Sequence, residues 1–127
     1  MTAAAFAAVG IGAALGAWLR WGLGSVLNPA LPTLPIGTLT ANLIGGYLIG
    51  LAIAYFADNA AVPVEWRLFV ITGFLGALTT FSTFSAEAVT LLVRAQYVWA
   101  AGLILSHLAG SIVMTLLGFA TFKWLHG

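Results

Sequence analysis

Seven consecutive residues, Thr79-Thr80-Phe81-Ser82-Thr83-Phe84-Ser85, carry five hydroxyls and two phenyl rings. Ser and Thr hydroxyls compete for helix carbonyls and bend or open a helix. Gly73 and Gly76, just upstream, weaken the same stretch. From these residues alone two outcomes stay open. Either the helix is intact and its hydroxyls bond back to the preceding turn, or it breaks and its freed carbonyls need a partner, for which a cation is one candidate. Phe81 and Phe84, three apart, share a face of a helix. A phenyl ring has a negative face and a positive edge, so ring edges solvate an anion weakly while ring faces favour cations. The alternative for such a pair is packing.

Two further polar sets are spaced for one helix face each. Thr38 and Asn42 are four apart, and the Asn amide offers two donors. His107, Ser111 and Thr115 follow at i, i+4 and i+8. Donors from three helices would converge on one narrow route, or else bond one another across helices. Glu87, the only acid well inside an apolar run, would pair with Arg20 or Arg94, be held neutral, or face water. Catalytic chemistry finds no support. Two distant His and one acid are too few metal ligands, Cys is absent, and there is no nucleophile elbow and no acid placed to orient His107. The chain is not expected to be an enzyme.

The elements that must position these groups are read from composition. Of 127 residues 62% are hydrophobic and 6% charged, against roughly 45–50% and 25% in soluble domains. Three acids and four bases cannot solvate a soluble particle, and four scattered bases make no patch for nucleic acid. The chain is expected to be an all-α integral membrane protein, a single domain over 1–127 in contact with lipid. Four apolar runs, about 3–23, 36–56, 68–93 and 98–124, each reach the length of about 20 residues that spans a bilayer. None alternates as a barrel strand does. Three prolines in Asn28-Pro29-Ala30-Leu31-Pro32-Thr33-Leu34-Pro35 force a loop between the first two runs. The second loop covers 57–67 and the third is a tight turn at Arg94-Ala95-Gln96-Tyr97. No basic segment precedes the first run, which is read as a retained span and not a signal peptide. Gly12 and Gly16, Gly46 and Gly50, and the row Gly102, Ser106, Gly110 and Gly118 predict close helix contacts.

Topology follows from four charges. Four spans put Arg67 and Lys123 on one side and Arg20 and Arg94 on the other, so the positive-inside bias is nil and both orientations are expected. The corresponding assembly is an antiparallel, dual-topology homodimer. Four helices enclose little space, so a conduit formed between two subunits is the economical architecture.

The string from Gly73 to Glu87, Gly-Phe-Leu-Gly-Ala-Leu-Thr-Thr-Phe-Ser-Thr-Phe-Ser-Ala-Glu, resembles the signature of the Fluc (CrcB) fluoride channels. Gly12 to Trp21 resembles their first-span GxxxGxxxR, and Gly37 to Gly46 their second-span GT…N…G, so the likeness covers essentially the whole chain. The resemblance implies an antiparallel homodimer with two pores that passively exports fluoride across the bacterial inner membrane. It implies a third helix broken at mid-membrane, and a structural Na+ at the dimer interface held by backbone carbonyls at Gly76 and Thr79. It also implies that Phe81 and Phe84 line the pore, that Asn42 donates to the ion, and that Ser82, Ser111 and Thr115 match pore hydroxyls. Arg20 matches the family's first-span Arg, a structural position. Thr38, on the Asn42 face, joins the pore set. Where some relatives carry an aromatic residue in the fourth span, this chain has Leu103, Ile104 and Leu105.

The runner-up reading is a small dual-topology, proton-coupled exporter of the multidrug type. It shares size, span number and charge balance, but needs a membrane-central acid in the first span, where this chain has none.

Overall fold

A computed structural model describes all residues, Met1–Gly127, and every regular element in it is helical. Helix α1, Ala3–Leu27, starts at Thr2, whose Oγ1 accepts the Ala5 amide proton (3.0 Å). That bond satisfies one of the donors a helix start leaves open. The helix runs past the expected end at residue 23 and closes in a 3-10 turn, Asn28–Ala30, that holds Pro29. Asn28 then ties the loop down, because its Oδ1 accepts the amides of Gly37 (2.7 Å) and Thr38 (3.2 Å) in the first turn of α2, Ile36–Asp58.

The third apolar segment is built in pieces. Helix α3, residues 64–78, opens as Val64–Arg67, widens into a π-helical stretch at Leu68–Leu75, and closes as Gly76–Leu78. Thr79 (φ −86°, ψ 150°) and Thr80 (φ −149°, ψ 118°) are extended, and α4, Phe81–Val93, begins after them. Gly73 lies in the widened π-helical stretch and Gly76 follows it, and both stay helical. Gly73 serves packing, since a methyl there would meet the Val9 carbonyl of α1 at 2.7 Å. Helix α4 ends in a Schellman turn: the Gln96 amide reaches back to the Leu91 carbonyl (2.9 Å) and the Ala95 amide to that of Leu92 (3.0 Å). Ala95 takes the left-handed conformation this requires, at φ 58°. Helix α5, Tyr97–His126, follows. By length and composition the four segments Ala3–Ala30, Ile36–Asp58, Val64–Val93 and Tyr97–His126 can each cross a bilayer.

Glycines set which helices touch. Helix α2 lies along α5. A methyl on Gly50 would strike the Thr115 carbonyl, one on Gly46 would stand 2.9 Å from the Ser111 carbonyl, and one on Gly118 would strike the Tyr47 carbonyl. In the same way Gly12 and Gly16 let α1 press onto the carbonyls of Phe69 and Phe74 in α3. The fourth-span row does not act as one seam. A methyl on Gly110 would stand 2.8 Å from Leu43 Cδ2, but Gly102 faces open space and Ser106 bonds back to the Gly102 carbonyl (2.6 Å). The outer surface is apolar, with Phe6, Trp18, Trp21, Leu116 and Trp124 all exposed.

The charged residues fall at the ends, apart from Arg20 in α1 and Glu87 in α4. Lys123 and Asp58 pair at 2.8 Å, and the Arg67 guanidinium lies over the Phe56 ring at 5.4 Å. Arg20 is turned inward. Its Nε donates to the Ala77 carbonyl (3.0 Å), so it belongs to the interrupted segment and not to a loop.

Candidate functional site

The interruption at Thr79 and Thr80 leaves backbone groups that a helix would have paired, and side chains from other helices take up three of them. Asn42 of α2 grips Thr80 twice: Oδ1 accepts the Thr80 amide (2.8 Å) and Nδ2 donates to the Thr80 carbonyl (3.2 Å). Arg20 of α1 takes the Ala77 carbonyl. The Thr79 amide and hydroxyl both reach back to the Leu75 carbonyl (3.0 and 2.8 Å). The Thr80 hydroxyl caps α4 by accepting the Thr83 amide (3.2 Å), and it lies 3.2 Å from the Ser82 hydroxyl as well. No backbone amide bonds the Thr79 carbonyl, and neither the Thr79 nor the Thr80 amide bonds that of Gly76. A carbonyl left without an amide at such a break is a hard oxygen ligand of the kind an alkali cation takes. No cluster of His, Asp and Glu offers another metal site.

These groups border an open cavity of about 410 Å³. Asn42, Phe81, Phe84, Ser111 and Thr115 line it, as do Gly76 and Thr79. The residues expected on three separate spans therefore meet at one place. Phe81 and Phe84 stand edge-on, ring centroids 5.2 Å apart at 64°. Both line the cavity, Phe84 buried and Phe81 69% exposed. The Thr115 hydroxyl bonds back to the Ser111 carbonyl (2.9 Å).

Thr38 and Ser82 are placed elsewhere. Thr38 is buried one turn before Asn42 and donates to Glu87 Oε2 (2.8 Å). The second Glu87 oxygen is buried without a partner. Glu87 lines a second cavity of about 290 Å³ together with Thr83, Thr90, Arg94 and Gln96. Ser82 borders neither cavity. Glu87 thus pairs with a threonine that sequence reasoning did not connect to it.

His107 was the other residue without a partner in sequence reasoning. The structure seats it in the first cavity, with Nδ1 2.9 Å from Asn42 Nδ2 and its ring 4.8 Å from that of Phe84, tilted by 31°. The i, i+4, i+8 row with Ser111 and Thr115 was the signal that pointed there.

The chain resembles known proteins over nearly all of its length. A family model described as "CrcB-like protein, Camphor Resistance (CrcB)" matches residues 7–119. A protein of Nitrosospira multiformis named "Fluoride-specific ion channel FluC" is 68% identical over 121 residues, covering 95% of this chain and 94% of the relative. Proteins of the same name from Thiobacillus denitrificans and Ralstonia pickettii are 62% and 56% identical, and each match spans at least 95% of this chain and 98% of the relative. Those relatives are named as ion channels, which are not enzymes, and none is named as an exporter of drugs. The match over 7–119 takes in the glycine seam of α1, Asn42 and the whole interrupted segment, and the chain belongs to the CrcB family.

Proposed function

We propose that this chain is a fluoride-specific ion channel that lets fluoride leave the bacterial cytoplasm passively and so lowers its concentration there. The observation that carries the reading is the meeting of Asn42, Phe81 and Phe84 at the interruption of the third segment, in a family whose relatives are named for fluoride. Fluoride is small, hard and strongly hydrated. Replacing its water shell takes dense donors in a narrow bore, which an amide, hydroxyls and positive ring edges supply. A wide basic vestibule would admit chloride as well.

The working unit is an antiparallel homodimer in the inner membrane, with two pores. Support comes from the open cavity, whose lining includes the exposed Phe81, and from the apolar outer surface. With Arg20 engaged at the interruption, Arg67 and Lys123 face Arg94 alone, a bias of one charge, too small to fix orientation firmly. Thr79 is the sixteenth of the thirty residues in Val64–Val93, so in a spanning helix the interruption lies near mid-membrane. There the Gly76 and Thr79 carbonyls of two copies would supply four oxygens to a structural sodium ion on the two-fold axis, with Arg20 bracing the same backbone. Ser111 and Thr115 line the path beside the rings. Thr38, Ser82 and Glu87 continue it toward the second cavity, where Arg94 waits at the end of α4.

The test is efflux from liposomes reconstituted with the pure protein. Protein-dependent fluoride release without chloride release is the expected result. Liposomes that retain fluoride would overturn the reading. Uphill fluoride movement driven by an imposed proton gradient would replace a channel with a coupled transporter.

A further inference from the structure

Asn42 offers two amide hydrogens, and both are engaged inside the chain. The orientation of the amide is fixed by chemistry. The Thr80 backbone N–H can only donate, so the group facing it at 2.8 Å is Oδ1. Nδ2 then faces the Thr80 carbonyl (3.2 Å) and His107 Nδ1 (2.9 Å). A ring nitrogen that receives a hydrogen bond carries a lone pair, so neutral His107 has its proton on Nε2. That Nε2 is buried without a partner, His107 as a whole is 3% exposed, and Phe84 lies against the ring. Asn42 therefore has no free donor for an ion until one of its bonds opens. The two bonds to Thr80 close a ring with the backbone and hold the interruption in place. The bond to His107 is the one that opens without undoing that grip.

We infer that His107 is a positioning residue for Asn42: Nδ1 holds the second amide hydrogen as an internal stand-in for the anion, and a passing anion takes that hydrogen over. The inference rests on the fluoride-path reading. It involves only an exchange of hydrogen bonds, with no proton transferred. A buried amide hydrogen left bare between ions would be costly, and a neutral ring nitrogen keeps it satisfied. An anion is a stronger acceptor than a neutral ring, so the exchange favours the ion. The ring nitrogen remains beside the amide to reclaim the hydrogen, which aids release.

The experiment uses the full-length protein reconstituted in lipid at about pH 8, above the ordinary titration range of histidine. Nitrogen NMR of the imidazole rings reports which nitrogen carries the proton. The other histidine, His126, has Nδ1 3.0 Å from the Phe122 carbonyl and so holds its proton on Nδ1. The two residues carry opposite tautomers, and His126→Gln leaves the His107 signals alone. The expected result is a proton on Nε2 of His107 and an Nδ1 signal that moves when fluoride is added but not when chloride is. In His107→Phe, which keeps a ring against Phe84, the midpoint of a fluoride titration read at the Asn42 amide falls roughly 2- to 10-fold, one neutral hydrogen bond's worth of competition removed. His107→Gln, which restores an acceptor, brings the midpoint back. A proton on Nδ1, an Nδ1 signal unmoved by fluoride in protein that conducts it, or an unchanged midpoint in His107→Phe overturns the inference. Parent protein that passes no fluoride would strike the function reading instead.

Discussion

Asn42 and Thr80 bind each other at both ends of a single amide, carbonyl oxygen to backbone N–H at 2.8 Å and amide nitrogen to backbone carbonyl at 3.2 Å. The second span thereby holds the extended residues of the third. Asn42→Asp keeps the acceptor for the Thr80 amide and nearly the same shape. It turns the donor aimed at the Thr80 carbonyl and His107 into a second acceptor, and it sets a negative charge in the path. The expected outcome is protein that inserts and assembles but passes fluoride at least about tenfold more slowly, an effect of roughly 1.4 kcal/mol or more. Liposome efflux with a parallel measure of assembly checks it, and efflux at the parent rate would remove Asn42 from the path.

Phe81 and Phe84 call for substitutions that separate chemistry from bulk. Truncating a buried Phe to Ala costs roughly 3–5 kcal/mol in soluble cores, so alanine at Phe84 would damage either a packing ring or a path ring. Phe→Ile and Phe→Met keep apolar bulk at a cost usually below about 1.5 kcal/mol and remove the positive ring edge. Assembly should survive at both positions while fluoride efflux falls about tenfold or more at one or both. If all four variants conduct as the parent does, the rings are packing and the path runs along Ser111 and Thr115.

Glycine substitutions should divide by what each methyl meets. Gly50→Ala drives a methyl into the backbone of Thr115 and should cost about 1–3 kcal/mol, read as lost helix packing on denaturation. Gly102→Ala meets nothing within 4 Å in its own chain and should leave the chain's fold as stable or slightly more so, since Ala is the better helix former. Equal losses at the two positions would mean that the α2–α5 seam is not where the structure puts it.

The near-balanced charges predict that copies insert both ways. Accessibility labelling of a C-terminal tag should reach the tag from both sides of the membrane. Adding two or three Lys after Gly127 should force one orientation and abolish fluoride efflux, and coexpression with an oppositely biased variant should restore it. A parent whose every C-terminus lies on one side rules out the antiparallel dimer.

Composition and periodicity made the four helices legible, along with the polar groups of the second, third and fourth. Helix ends were less so: α1 runs on to Leu27 because Asn28 supplies the next cap and nothing before Pro29 stops the helix. The hydroxyl-rich run foretold trouble in the third segment, yet the extended residues are Thr79 and Thr80 and not the glycines before them. Their place depends on Asn42 and Arg20, side chains 38 and 57 residues away from the backbone groups they bind. Local pattern assigns a residue to a face but does not fix how far each helix rotates against its neighbours. That rotation decides that Thr38 meets Glu87 and that Asn42 meets His107.

The interruption also divides the third segment mechanically. Residues 64–78 pack on α1, while Phe81–Val93 packs on α5. Between the two halves the ladder of backbone bonds that normally carries tension along a helix is missing, and its task falls to the amide of α2 and the guanidinium of α1. The cooperativity of the bundle thus hangs on Asn42 and Arg20. Hydrogen exchange should find the amides of α4 opening independently of those in α3 once either side chain is removed.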